Sequence, residues 1–218
     1  MAETKLEEKE TKKDFKPIVL YFLIQFIVAI IVGGVANVFT ANNNSEISND
    51  MVTTIGNIIS FSFIFIIFIS LYFKKIKYDA KKLTRKNVLF VIIVAILMFV
   101  FNLIVTSVFM NLGVSMDNQD SVNTMISNSQ IIMSFLVAVA IPFIEEMVFR
   151  YSLSTIIKNK VVFVIVSSIL FGVIHGIGIA TVLYVVLGAI ISIVYLKTDK
   201  NVIASSIVHI INNLLSLL

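Results

Sequence analysis

Five ionisable residues in the last third of this chain are suited to chemistry: Glu145, Glu146, Arg150, His175 and His209, with Asn212 and Asn213 just beyond. The two histidines are the only ones present, and there is no cysteine. Disulfide and thiolate chemistry are therefore excluded, and a metal site would have to use imidazole, carboxylate or amide ligands. Glu145, His175 and His209 together are one carboxylate and two imidazoles, the ligand set of a catalytic zinc that keeps a fourth position open. Such an ion acidifies bound water and polarises a carbonyl. The same groups can also act without metal. Glu145 as general base beside His175 would activate water, and His209 with Asn213 would donate to an oxyanion. Residue types alone leave both schemes open.

Spacing adds roles. Glu146 and Arg150 are four residues apart and share a helical face, and pairing makes both charges tolerable in a dry place. Glu145 points about 100° away from them, free to face a cavity. Pro142 removes a backbone hydrogen bond one turn earlier, which predicts a kink that opens space beside Glu145. Phe171 lies one turn before His175 and can support its ring. Gly172 and Gly176 form a small-xxx-small step that predicts close helix packing. His209 and Asn213 share a face.

These residues must be positioned by membrane helices. Of 218 residues, 58% are hydrophobic and 14% charged, and the mean hydropathy is +1.00. A soluble domain is nearer a quarter charged. The apolar residues run in stretches long enough to cross a bilayer as helices, with no alternation of the barrel kind. The expected fold is all-α: a polytopic transmembrane helix bundle of seven segments, at about 17–40, 52–73, 87–111, 130–157, 161–176, 177–196 and 202–217. Pro17 suits the first turn of the first segment. Three regions are expected: a charged tail over 1–16, N-terminal transmembrane helices over 17–127, and a catalytic transmembrane region over 128–217.

All 17 Lys and Arg residues fall before segment one, between two and three, at the end of four and just after it, or between six and seven. The alternate connections, including Asn42–Asn44, the 117–129 stretch and the link near Gly176–Gly178, carry none and read as solvated loops. The positive-inside rule then gives a cytoplasmic N-terminus in the cell membrane and an outside C-terminus, an assignment that a single re-entrant element at segments five and six would reverse. The basic run 74–86 reads as a topology determinant rather than a headgroup site. Confining positive charge to one membrane face argues against nucleic acid as a partner and leaves the lipid bilayer itself. Gln25, Asn57 and Asn102 read as helix-packing amides.

Ionisable groups inside spanning segments are functional suspects by default. Counted from the lysine-bearing ends at ~1.5 Å per residue, Glu145 and His175 lie roughly 20 Å deep and His209 roughly 10 Å. They share one broad layer, as a site requires. A proton-coupled carrier would use the same residue types spread along a path instead.

In order along the chain, Glu145-Glu146-Met147-Val148-Phe149-Arg150 matches EExxxR, Phe171–His175 matches FxxxH, and His209–Asn213 matches HxxxN. Three such motifs on separate membrane helices resemble the CPBP family: type II CAAX-processing endopeptidases, bacteriocin-processing and immunity proteins, and relatives of lysostaphin resistance protein A. The resemblance covers about 128–217. It implies an intramembrane endopeptidase with its site in a cavity open toward the cytosol, acting on a peptide or protein substrate at the membrane. It implies that Glu145 activates water with His175, that His209 and Asn213 stabilise the oxyanion or help hold a metal, and that Glu146 and Arg150 order the site. Zinc at Glu145, His175 and His209 is the cofactor it suggests. The Ile-, Asn- and Lys-rich composition points to a bacterial source and away from a prenylated substrate. A non-catalytic immunity or scaffold protein is the competing expectation. Its mark would be a broken motif.

Overall fold

The computed structural model describes residues 12–41 and 49–217. The tail before Lys12 and the Asn42–Asn44 connection lie outside the described residues. Among those described there are eight helices and no strand: α1 Lys16–Ala41, α2 Asn49–Lys82, α3 Arg85–Asn111, α4 Asp117–Asn128, α5 Gln130–Ile156, α6 Lys160–Ile174, α7 Thr181–Lys197 and α8 Val202–Ser216. Three start on side-chain caps that accept otherwise orphaned N–H groups: Thr84 for α3, Asn159 for α6 and Asn201 for α8.

The helices α1, α2, α3 and α5 are long and apolar enough to cross a membrane. Their outward faces are apolar, with Phe26 65% and Leu97 62% exposed, as lipid-facing side chains should be. The helices α6, α7 and α8 are apolar but shorter, at 15, 17 and 15 residues, so each rises only about 22–26 Å at 1.5 Å per residue. Three of the seven expected segments are thus shorter than full crossings. The 117–129 stretch, expected as a loop, is mostly helix α4; Val122, Met125 and Ile126 press it onto Met133 and Leu136 of α5.

Helices α6 and α7 form an antiparallel hairpin. Phe163 packs on Tyr195, Ser167 receives the Ser192 hydroxyl, and Gly172 abuts Val185 and Thr181. At Gly172 an added Cβ would lie 2.4 Å from Val185 Cγ2 and 3.1 Å from its backbone nitrogen, so only glycine permits this approach. Gly176 does something else. It has a φ of 125° and open space around it, so it turns the chain after α6 rather than packing a helix. Thr181 fixes that turn, donating to the Gly176 carbonyl and accepting from the Gly178 N–H. Because the hairpin returns to the end it left, the orientation of α8 does not depend on how deeply α6 and α7 penetrate.

The bundle has two distinct ends. One gathers the lysine-rich connections and is tightly tied. Tyr72 and Tyr151 donate to the Asp14 carboxylate, Ser152 donates to the Asp14 carbonyl, and the Asp14 N–H donates to Thr155. There too, Asp79 pairs with buried Lys75 and accepts the N–H of Val202, the first residue of α8. The other end carries the 112–116 and 175–180 connections and the C-terminus of α8, none of which contains Lys or Arg.

Candidate functional site

Helix α5 carries the first motif, and its winding is irregular on both sides of Glu145. Residues Leu136–Ala140 and Glu146–Ser152 form wide π turns, a feature that recurs at functional sites. Pro142 accounts for part of this. The Ile141 N–H reaches back five residues to the Leu136 carbonyl. The next bond in that register would run from residue 142 to Val137, and proline has no N–H to give. Asn213 of α8 fills the gap, its Nδ2 donating to the Val137 carbonyl at 3.1 Å. The expected kink is therefore a pair of wide turns, braced from another helix.

The wide second turn keeps Glu146 and Arg150 on one face. Both are fully buried, with Arg150 Nε 3.4 Å from Glu146 Oε2. This is ion pairing without hydrogen-bond alignment, since neither atom has a hydrogen-bond partner. Arg150 is also held by the Gly188 carbonyl at 3.1 Å and by the Phe171 ring, 4.6 Å from the guanidinium carbon. The other Glu146 oxygen lies 3.2 Å from His209 Nδ1.

Glu145 faces the other way, between the two imidazoles. Its Oε1 is 3.9 Å from His175 Nε2 and its Oε2 is 3.6 Å from His209 Nε2. The tautomers follow from the partners. His175 Nδ1 lies 2.7 Å from the Phe171 carbonyl; a carbonyl only accepts, so Nδ1 carries the proton and Nε2 of the neutral ring offers a lone pair. His209 Nδ1 likewise faces a Glu146 oxygen, and a proton on that nitrogen turns the Nε2 lone pair toward Glu145. Three acceptors thus converge without a donor among them. Such a focus suits a water that donates to two of them at about 2.8 Å, or a cation.

The donor set also fits zinc in type. Each imidazole is oriented through Nδ1 by a carboxylate or carbonyl, the outer support that metal-bound histidines usually have. Ligands sharing one tetrahedral zinc at ~2.0–2.1 Å lie about 3.3–3.4 Å apart, somewhat closer than the separations here. As the side chains stand, no group of three or more His, Asp or Glu among the described residues is close enough to hold an ion.

A cavity of about 290 Å³ leads to the two imidazoles. Its wall is mostly apolar and includes the amides and hydroxyl of Asn102 and Thr106 of α3, Gln119 of α4 and Asn212 of α8. No Asp, Glu, Lys or Arg lines it among the described residues. Asn212 Oδ1 is buried there without a hydrogen-bond partner. Gln119 of α4 and Ser216 and Leu217 at the C-terminal end of α8 line it together with Met98 and Ile191 from the middle of α3 and α7.

Sequence reasoning missed three contributors. Tyr184 stacks on the His175 ring at 4.5 Å and 16°, across a turn whose geometry no spacing rule supplies. The Gly188 carbonyl meets Arg150 through the hairpin, and nothing in the sequence signals it. Asn102, read as a packing amide, stands in the cavity wall.

A multi-pass helical membrane protein with a buried Glu–His–His focus is the class that fold and site define. Within it, residues 127–215 match the family model for type II CAAX prenyl endopeptidase Rce1-like proteins. The matched stretch is less than half of the chain, and the likeness is consistent with the CPBP resemblance. All six motif residues, Glu145, Glu146, Arg150, His175, His209 and Asn213, lie inside it. No curated protein and no solved structure matches the chain.

Proposed function

We propose that the protein is an intramembrane endopeptidase that hydrolyses an internal bond of a membrane-associated peptide, with Glu145, His175 and His209 as the catalytic residues. The observation that carries this reading is the convergence of two imidazoles on the buried Glu145 carboxylate, with both imidazoles, but not Glu145 itself, lining a cavity. Glu145 takes a proton from water held beside His175, and the water oxygen bonds to the scissile carbonyl carbon. His209 Nε2, a lone pair in this tautomer, accepts a hydrogen bond from the same water. The C–N bond then breaks, the abstracted proton passes to the leaving nitrogen, and the products are a carboxylic acid and an amine, which exchange a proton to leave as carboxylate and ammonium.

Glu146 and Arg150 are positioning residues. Glu146 holds the His209 tautomer, and Arg150 holds Glu146. Asn213 braces the α5 turn through Val137, and its second N–H is left for the oxyanion. Zinc, if bound at Glu145, His175 and His209, would supply an acidified water and a polarised carbonyl. The uncharged wall, with its amides, suits a neutral stretch of peptide backbone. Among the described residues it carries no Lys or Arg for a terminal carboxylate, which favours an internal bond over removal of a free C-terminal tripeptide.

The test is cleavage of a peptide library by purified protein in detergent, for wild type and Glu145→Gln, with chelator and with zinc restored. Loss in the variant and in chelator, with recovery on zinc, supports a metalloprotease. Loss only in the variant supports water activation by Glu and His alone. Full activity in Glu145→Gln overturns the proposal.

A further inference from the structure

Two neighbouring amides on α8 are oriented by chemistry. The Val137 carbonyl, left open by Pro142, can only accept, so Asn213 presents Nδ2 to it at 3.1 Å and keeps Oδ1 on its other side. That oxygen in turn accepts from Nδ2 of Asn212 at 3.3 Å. What remains is Asn212 Oδ1, an acceptor whose sense is set by a relay that begins at a proline on α5.

Asn212 lines the cavity and is only 4% exposed. Of the side-chain polar atoms buried without a hydrogen-bond partner among the described residues, Asn212 Oδ1 alone belongs to a residue of that wall. The hydroxyls of Ser216 and Thr106 are already committed. Ser216 donates to the Asn212 carbonyl at 2.8 Å, and Thr106 donates to Asn102 Oδ1 at 3.3 Å. The Gln119 amide donates to Asn123. A buried acceptor left unmade is costly, and folded proteins rarely leave one so. Its donor must come from what fills the cavity.

The wall also indicates the kind of donor. No Lys, Arg, Asp or Glu lines it among the described residues, and most of it is apolar. It therefore suits a neutral donor with apolar surroundings, which a peptide N–H between apolar side chains provides. Asn212 follows His209 by three residues, and residues so spaced on a helix are neighbours, about 5–6 Å apart at Cβ. An extended chain rising about 3.3 Å per residue covers that distance in about two residues. We propose that Asn212 is a substrate-binding residue whose Oδ1 accepts a backbone N–H of a neutral peptide, about two residues from the bond held at His209. This rests on the protease reading for the bond that is cut, but not for the binding of peptide.

The test reads binding and keeps cleavage apart. Glu145→Gln protein in detergent is incubated with a library of capped, uncharged heptapeptides, and those that co-elute with it are read by mass spectrometry. Glu145→Gln/Asn212→Leu and Glu145→Gln/Asn212→Ala are treated alike, so that one misfolded variant does not decide the outcome. The expected result is a retained set that both double variants hold about three- to tenfold less well, the size of one neutral hydrogen bond, with the folded peak intact. A retained peptide is then remade with each backbone N–H in turn replaced by an ester oxygen. One position should weaken binding to Glu145→Gln by a similar factor and leave binding to the double variants unchanged, the coupling that a direct contact gives. Equal retention by all three proteins, the result if Oδ1 holds only a water, overturns the inference. So does retention by none, loss of the folded peak in both double variants, or the lack of any ester position coupled to Asn212. Peptides retained through Asn212 but cleaved by no protein, wild type included, would overturn the protease reading and leave this inference standing.

Discussion

Replacing Glu146 by Gln removes the carboxylate paired with a fully buried arginine. In the native bundle Arg150 Nε and Glu146 Oε2 are 3.4 Å apart with neither side chain exposed. At an effective dielectric of about 20 that attraction is roughly 5 kcal/mol. The Gly188 carbonyl and the Phe171 ring remain, the ring worth ~0.5–2 kcal/mol. The net destabilisation should fall near the ~3–5 kcal/mol typical of a buried charge left alone. For a chain of this size that is on the order of 10 °C in midpoint temperature. Retention of the monodisperse size-exclusion peak after stepwise heating, followed on a fluorescent fusion, measures it. Glu146→Gln/Arg150→Met should recover most of the loss, because removing both charges of a buried pair is often near neutral. Neither variant should regain activity, since both leave His209 without its carboxylate. A Glu146→Gln protein that melts with wild type, or a double variant no better than the single, would refute the reasoning.

Other perturbations probe other parts of the site. Asn213→Ala leaves the Val137 carbonyl without its donor and should cost about 1–3 kcal/mol, read by the same heating assay. Gly172→Val forces a branched side chain into the Val185 backbone; it should lower the midpoint by at least the ~1–3 kcal/mol of an overpacked core, with Gly176→Ala strained by its φ instead. Tyr184→Leu removes the ring stacked on His175, and the loss of ~0.5–1.5 kcal/mol in aromatic contact should appear as a fewfold to about tenfold fall in kcat/KM with folding intact.

Most of the bundle was readable because its causes are local. Long apolar runs dictate helices, and the lysines mark one end of each. The Glu146–Arg150 pair was readable for the same reason, as four residues on one helix fix a shared face. The partners brought by tertiary structure were not. Tyr184 reaches His175 only because Gly176 and Thr181 set a particular turn, and Asn213 meets Val137 only because Pro142 shifts α5 into a wider register. The second case contains a usable signal: a proline inside a membrane helix leaves a carbonyl that some neighbour must satisfy. Gly176 looked like a packing glycine because its spacing from Gly172 fits a helix, but α6 ends between them. The polar helix α4 was hidden by composition, since Asp, Asn and Ser favour loops locally and its contacts with α2 and α5 hold it. Asn102, Thr106 and Gln119 lie far before the motifs, so the share of the N-terminal helices in the cavity became visible only in three dimensions.

The central claim is that Glu145 drives attack by water on a peptide bond. Mass spectrometry of a peptide substrate turned over in ¹⁸O-labelled water, for wild type and Glu145→Gln side by side, tests it most directly. The account predicts a wild-type product whose new carboxyl group carries one oxygen from solvent, and no product from a variant that still elutes as a folded species. Equal product from both proteins would contradict it.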